Sequence, residues 1–232
     1  MKHFKIHNLI SFYLPKKKIT IVDCGCHKGE FLKKIGLDRL KSGYLIDPLD
    51  YKISDKLKLK NFNYFQISLG ATQLKKQRFN IYSDKYPEWS SINQLGIKSI
   101  YKKKYSKYLK KNFKTKFIKR TTLDKVLKKN KDNIDILKID CQSTSLEILK
   151  GAKKNLNNKK FKIIFVAINL SEFYKNKNDS LIDIAIYLKK FGYEFINIAN
   201  AHNGKLGKLD YDFSNFKIWT FDAIFIQKNY FK

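Results

Sequence analysis

The sequence predicts an α/β fold: a mostly parallel sheet with helices on both faces and an antiparallel last strand. Three observations predict it. Apolar, β-branched runs alternate with segments of helical spacing, the pattern of strands joined by crossover helices. Several runs end in glycine or aspartate, as strands do when they deliver residues to the edge of an open sheet. The final apolar run, 218–227, follows its predecessor with no convincing helix between them, so it pairs antiparallel.

The elements follow in order. Residues 18–24 form the first strand, ending at Gly25, and 30–40 then carries helical spacing. A second strand, 43–46, ends in Asp47-Pro48, and a third, 63–69, ends at Gly70. Residues 79–82 suit one strand of a hairpin. A helix over 121–129 is opened by a threonine cap, with Asp124 in its first turn as the helix dipole favours. Residues 134–139 are a buried strand ending at Asp140. Helices over 146–156 and 181–191 alternate with strands over 161–170 and 193–199. No internal repeat and no Pro-, Gly- or Ser-rich linker interrupts the chain, so 1–232 reads as one domain. Residues 1–17 are an N-terminal extension to it, and 71–120 an inserted hairpin with a basic helical segment.

Composition limits the function classes. The 232 residues carry 49 Lys+Arg against 20 Asp+Glu, a formal charge of +29, which attracts anionic surfaces in general. Only Arg39, Arg78 and Arg120 are arginines, so bidentate readout of bases is poorly supplied and no specific nucleic acid is expected. A basic nucleic-acid-binding protein stays as a rival reading, resting on charge alone. No run reaches the roughly 18 apolar residues of a membrane span, though peripheral membrane contact is compatible with the charge. The N-terminal stretch lacks a small-residue cleavage site, and three cysteines fit no disulfide framework; both point to the cytoplasm.

The stretch IVDCGCHKGEF (21–31) sits where the first strand meets its helix. Gly25 allows a sharp turn and close approach by a ligand, and Gly29 lets the next helix pack near the strand. Asp47, at the end of the second strand, is placed to accept two hydrogen bonds from a ribose diol. The glycine spacing lacks the third glycine of a pyrophosphate fingerprint, so S-adenosylmethionine, with adenosine and no pyrophosphate, fits better than a dinucleotide. Asp23, Gly25, Cys26, Gly29, Asp47 and Pro48 are therefore the cofactor-binding candidates. Ser68 and Leu69, ending the third strand, belong near the adenine.

Several ordered motifs then carry a resemblance. VDCGCHKGEF, YLIDP, TTLDKVL followed by IDILKIDCQSTSLEILKGA, FVAINLSEFY and FDAIFI together resemble the FkbM family of S-adenosylmethionine-dependent methyltransferases, from the first strand to the last. The resemblance implies a Rossmann-like class I methyltransferase fold, bound S-adenosylmethionine, and a hydroxyl acceptor on a glycan or small molecule. It also marks departures. Ser143 stands where the family has glycine, Ser145 where it has glutamate, and Ala167 where an acid is expected. The alternative to an enzyme is thus a relative that keeps the fold as a binding or scaffold protein.

Methyl transfer gains most from holding acceptor and methyl group in line, and a hydroxyl acceptor gains further from a general base. Asp140 is the first candidate base, against a reading as a helix-capping residue. His27 is the second, against a role in shaping the methionine end of the cofactor site. Cys24, Cys26, Cys141 and His27 can converge on one pocket edge, yet Cys-x-Cys-His is not a zinc-ligand pair, and packed, reduced thiols are the preferred reading with no metal site. The segment 98–119 interleaves tyrosines with lysines, as either a packed amphipathic helix or a docking helix for an anionic acceptor or membrane. Just before it, Trp89, Ser90 and Ser91 fall in a loop near the expected mouth of the site.

Overall fold

The computed structural model describes residues 6–15, 18–83, 87–95, 114–169, 174–175, 179–203 and 218–229. Seven strands form the main sheet: β1 (Ile19–Cys24), β2 (Leu40–Ile46), β3 (Phe62–Phe65), β7 (Ile134–Ile139), β8 (Phe161–Asn169), β9 (Tyr193–Asn203) and β10 (Ile218–Gln227). Their spatial order is β3-β2-β1-β7-β8-β10-β9. The first five run parallel, and β10 enters antiparallel between β8 and β9. The order reverses at β1, so its carboxyl end and that of β7 open a crevice.

The central strands β1, β7 and β8 are rich in isoleucine and buried on both sides, and alternate residues serve opposite layers. Val22, Leu137 and Ile164 face one core, shared with helices α4 (Leu123–Val126), α5 (Ser145–Lys150), α6 (Lys153–Asn157) and α7 (Leu181–Lys189). Ile21, Ile136 and Ile163 face the other, shared with α1 (Ile6–Tyr13), α2 (Glu30–Ile35) and α3 (Ile53–Lys56). In the N-terminal segment Ile6, Leu9, Ile10 and Leu14 are buried at helical spacing.

A second, three-stranded sheet has the order β4-β6-β5, from β4 (Ser68–Leu69), β5 (Leu74–Ile81) and β6 (Lys114–Thr121). It corrects two expectations. The run 63–69 is not one strand: Ile67 N–H bonds back to Phe65 O at 3.0 Å, and Ser68–Leu69 leaves to pair with Arg120–Thr121. Within the basic segment, 114–119 is strand and not helix, paired antiparallel with β5; 98–113 lies outside the described residues.

Helix ends follow local chemistry. Thr122 caps α4, its side chain accepting from Lys125 N–H. Asp124 serves the neighbouring helix, its carboxylate accepting from Lys154 N–H (2.9 Å) and Asn155 N–H (3.0 Å) at the start of α6. The expected helix over 146–156 breaks at Gly151, where a Cβ would lie 2.2 Å from Gly70 O.

Candidate functional site

At the carboxyl end of β1 the chain turns through Gly25 (φ 79°), His27 (φ 44°) and Gly29 (φ 72°) into α2. Gly25 N–H bonds Ile46 O at 2.8 Å, which ties the turn to β2. What approaches Gly25 is the chain itself: a Cβ there would sit 2.0 Å from the carbonyl oxygen of Asp140. Asp140 N–H in turn bonds Cys24 O at 2.9 Å, so the turn after β1 and the turn after β7 are one joined edge.

These turns border a cleft of about 430 Å³, within the roughly 300–1,000 Å³ usual for small-molecule sites. Asp23, Gly25, Cys26, Asp47 and Pro48 line it, as do Ser68 and Leu69 from β4. The two candidate bases, His27 and Asp140, line it too. Gly29 is not part of the wall; a Cβ there would meet Leu57 Cδ1 at 2.7 Å, so it makes room for the segment after β2.

On the β1–β2 side, backbone groups hold Asp47. Asp47 accepts from His27 N–H on Oδ2 (3.0 Å) and from Leu49 N–H on Oδ1 (2.8 Å), leaving each oxygen a further lone pair. Burial pushes its carboxyl up to about 6, against the pull of those two bonds. Asp23 is 1% exposed and its Oδ2 has no partner. Burial pushes this carboxyl up to about 7, with Lys138 opposing. His27 is kept neutral by burial and meets Tyr51 edge-on at 4.7 Å; its Nε2 is buried without a partner. Burial also raises the thiols of Cys24, Cys26 and Cys141, so they stay protonated and poor as nucleophiles or ligands. Among the described residues no group of three or more His, Cys, Asp or Glu could hold a metal ion.

On the β7–β10 side a buried lysine organises the acids. Lys138, on β7, places Nζ 3.3 Å from Asp140 Oδ2 and 3.0 Å from Asp222 Oδ1. Burial alone would lower this lysine; the carboxylates of Asp140, Asp222 and Asp23 outweigh it and keep the ammonium charged. Asn200 Nδ2 donates to Asp222 Oδ2 at 2.7 Å. Asn200 has φ 49° at an irregularity in the β9–β10 register, a bulge that turns its side chain to the cleft. Asp222 lies directly across from Ala167 in the β8–β10 pairing, so a carboxylate stands beside the position where one was expected on β8. Sequence reasoning missed Lys138, Asn200 and Asp222. The signal for two of them was a charged residue inside an apolar strand, since lysine and aspartate are buried only when paired.

The loop after Asp140 is strained and clamped. Gln142 (φ 52°) and Ser143 (φ 63°) are both left-handed, which explains a glycine in the family pattern at 143. Asn93 Nδ2 donates to Gln142 O (3.2 Å) and Ser143 O (3.1 Å), and Ser91 Oγ donates to Gln142 O (3.2 Å). Asn169 Nδ2 donates to Ser143 Oγ at 3.2 Å. At Ser145 the backbone N–H lies 3.1 Å from both carboxylate oxygens of Asp179, an acid brought from a distant segment to the start of α5. Trp89, Ser90 and Ser91 all line the cleft, and Tyr174 hydroxyl donates to Trp89 O at 2.8 Å.

Comparison with known proteins follows the same lines. The methyltransferase FkbM domain matches residues 23–195. A structure of an FkbM methyltransferase from Methylobacillus flagellatus KT shares 15% identity at TM-score 0.51, covering 90% of this chain but 43% of its own. The chain therefore spans less than half the length of that relative. TrmK of M. capricolum, solved with S-adenosyl-homocysteine, shares 14% identity at TM-score 0.46, covering 96% of this chain and 67% of its own. An rRNA methylase of Streptococcus thermophilus shares 11% at TM-score 0.46, covering 95% and 93%. No curated protein matches in sequence. The fold is that of the class I S-adenosylmethionine-dependent methyltransferases, with a mostly parallel central sheet and an antiparallel final strand. With residues 23–195 matched out of 232, the chain belongs to the FkbM methyltransferase family.

Proposed function

We propose that this chain is an S-adenosylmethionine-dependent methyltransferase acting, as one domain in the cytoplasm, on a hydroxyl of a glycan or small molecule. The observation that carries the reading is the convergence of the Gly25 turn, Asp47 and Asp140 on one cleft. The residues fit the cofactor: Asp23 Oδ2 is a buried acceptor without a partner, suited to a cationic group, and Asp47 keeps lone pairs for a ribose diol. When bound, S-adenosylmethionine supplies a methyl group on a sulfonium. Asp23, Gly25, Cys26, Asp47 and Pro48 hold the cofactor, with Ser68 and Leu69 beside the adenine and Gly29 setting the turn. His27, neutral, shapes the methionine end. Asp140, its side chain 45% exposed, takes the proton that the acceptor hydroxyl gives up.

Calorimetric titration with S-adenosylmethionine and S-adenosylhomocysteine tests this. Hydrogen bonds to a charged group contribute about 1.5–3 kcal/mol each, so Asp47→Ala, losing two, should weaken binding by at least about 100-fold. No binding by the folded wild-type chain would sink the reading. A second reading, a binding module without turnover, is motivated by Ser145 and Ala167. The carboxylates of Asp179 and Asp222 beside those positions weigh against it.

A further inference from the structure

The cleft reverses the charge of the molecule. The chain carries +29 overall, yet among the described residues the cleft wall holds six acidic side chains, Asp23, Glu30, Asp47, Glu88, Asp140 and Asp222, against the ammonium groups of Lys34 and Lys138. Lys138 is 4% exposed and already lies between two carboxylates, at 3.0 and 3.3 Å. Its single charge sits behind them, so the described residues of this half of the cleft present a net negative face. Asp222 is fixed there by Lys138 on one oxygen and Asn200 on the other, while Asp140 is the partner open to the cleft. Another lysine near the site, Lys116, bonds Pro48 O on the cofactor side.

We propose that Asp140 and Asp222 are specificity-determining residues that form a charge filter: the acceptor half refuses anionic acceptors and favours a hydroxyl compound bearing an ammonium group. This rests on the methyltransferase reading of the site. An ammonium replaces its lost water with carboxylate hydrogen bonds, whereas a phosphate meets two like charges with their neutralising cation out of reach. The lysine-rich exterior can gather anions, but the cleft does not take them in.

The test uses the full chain saturated with S-adenosylhomocysteine, in near-physiological salt so that surface lysines are screened. Saturation-transfer NMR then measures the affinity of D-glucosamine, D-glucose and D-glucose 6-phosphate. The expected order is glucosamine, glucose, glucose 6-phosphate, with about tenfold or more between the first and last. Asp140→Asn, at a half-exposed position that tolerates the change, should cut that ratio to about threefold or less, and Asp222→Asn should do the same. The difference between wild type and variant isolates the cleft from the surface. Equal or tighter binding of the phosphate, no detectable sugar binding, or a ratio unmoved by Asp140→Asn would each overturn the filter. Failure to bind S-adenosylhomocysteine at all would instead remove the methyltransferase reading, and the filter with it.

Discussion

The two halves of the cleft hold their acids by different means. On the β1–β2 side, Asp47 is fixed by the backbone N–H groups of Leu49, two residues on, and of His27 in the turn after β1, and Asp23 is left with an unpartnered oxygen. On the β7–β10 side, Asp140 and Asp222 are fixed by a buried lysine and by Asn200, from residues spread between 138 and 222. One half is a local turn whose carboxylates gain charge only at a cost. The other is an assembled ion network whose two carboxylates share one buried ammonium. A turn can be built from one contiguous motif; an ion network needs several strands in register.

Removing the network's cation gives the largest expected effect. Lys138→Met leaves Asp140 and Asp222 without their shared partner and should destabilise the chain by about 3–5 kcal/mol in denaturant unfolding at pH 7. A loss under about 1 kcal/mol would break the contrast, because the acceptor half would then not depend on its lysine. Asp23→Asn tests the other half and carries the opposite sign. The carboxyl is raised from 3.8 to about 7, so its contribution to stability is fully present below 3.8 and lost as pH rises through 7. The uncharged variant should therefore be more stable than wild type by up to about 4 kcal/mol at pH 8, and by less than about half of that at pH 5. An equal gain at both pH values would assign the effect to packing. The smallest change sharpens the comparison at the strained loop: Ser143→Gly should gain about 1 kcal/mol by relieving a left-handed residue. Destabilisation instead would show that the bond from Asn169 outweighs the strain.

The same division decides what could be read from sequence. Most strands of the main sheet, the antiparallel β10 and the turn after β1 were legible because periodicity and glycine position are local. The placement of Asp47 and Asp140 beside the cleft was legible because they end strands. Three features were not. The run 63–69 has one unbroken apolar pattern, and only the pull of Arg120–Thr121 divides it between two sheets. The approach that Gly25 permits was expected from a ligand and comes from Asp140 O, a contact across 115 residues. Asp222 and Asp179 take up positions beside Ala167 and Ser145 through register and loop packing, which no spacing along the chain encodes.

The place of β10 has a consequence for how the molecule is made. β9 is synthesised before the strand that separates it from β8, so it cannot dock in its final position by bonding the sheet already formed. β9 joins the sheet only through β10, with it or after it. Until residues 218–227 arrive, a nascent chain can hold the whole β1–β2 turn and still present Lys138 with Asp140 alone. The half of the cleft that would receive cofactor can thus mature before the half that would receive acceptor.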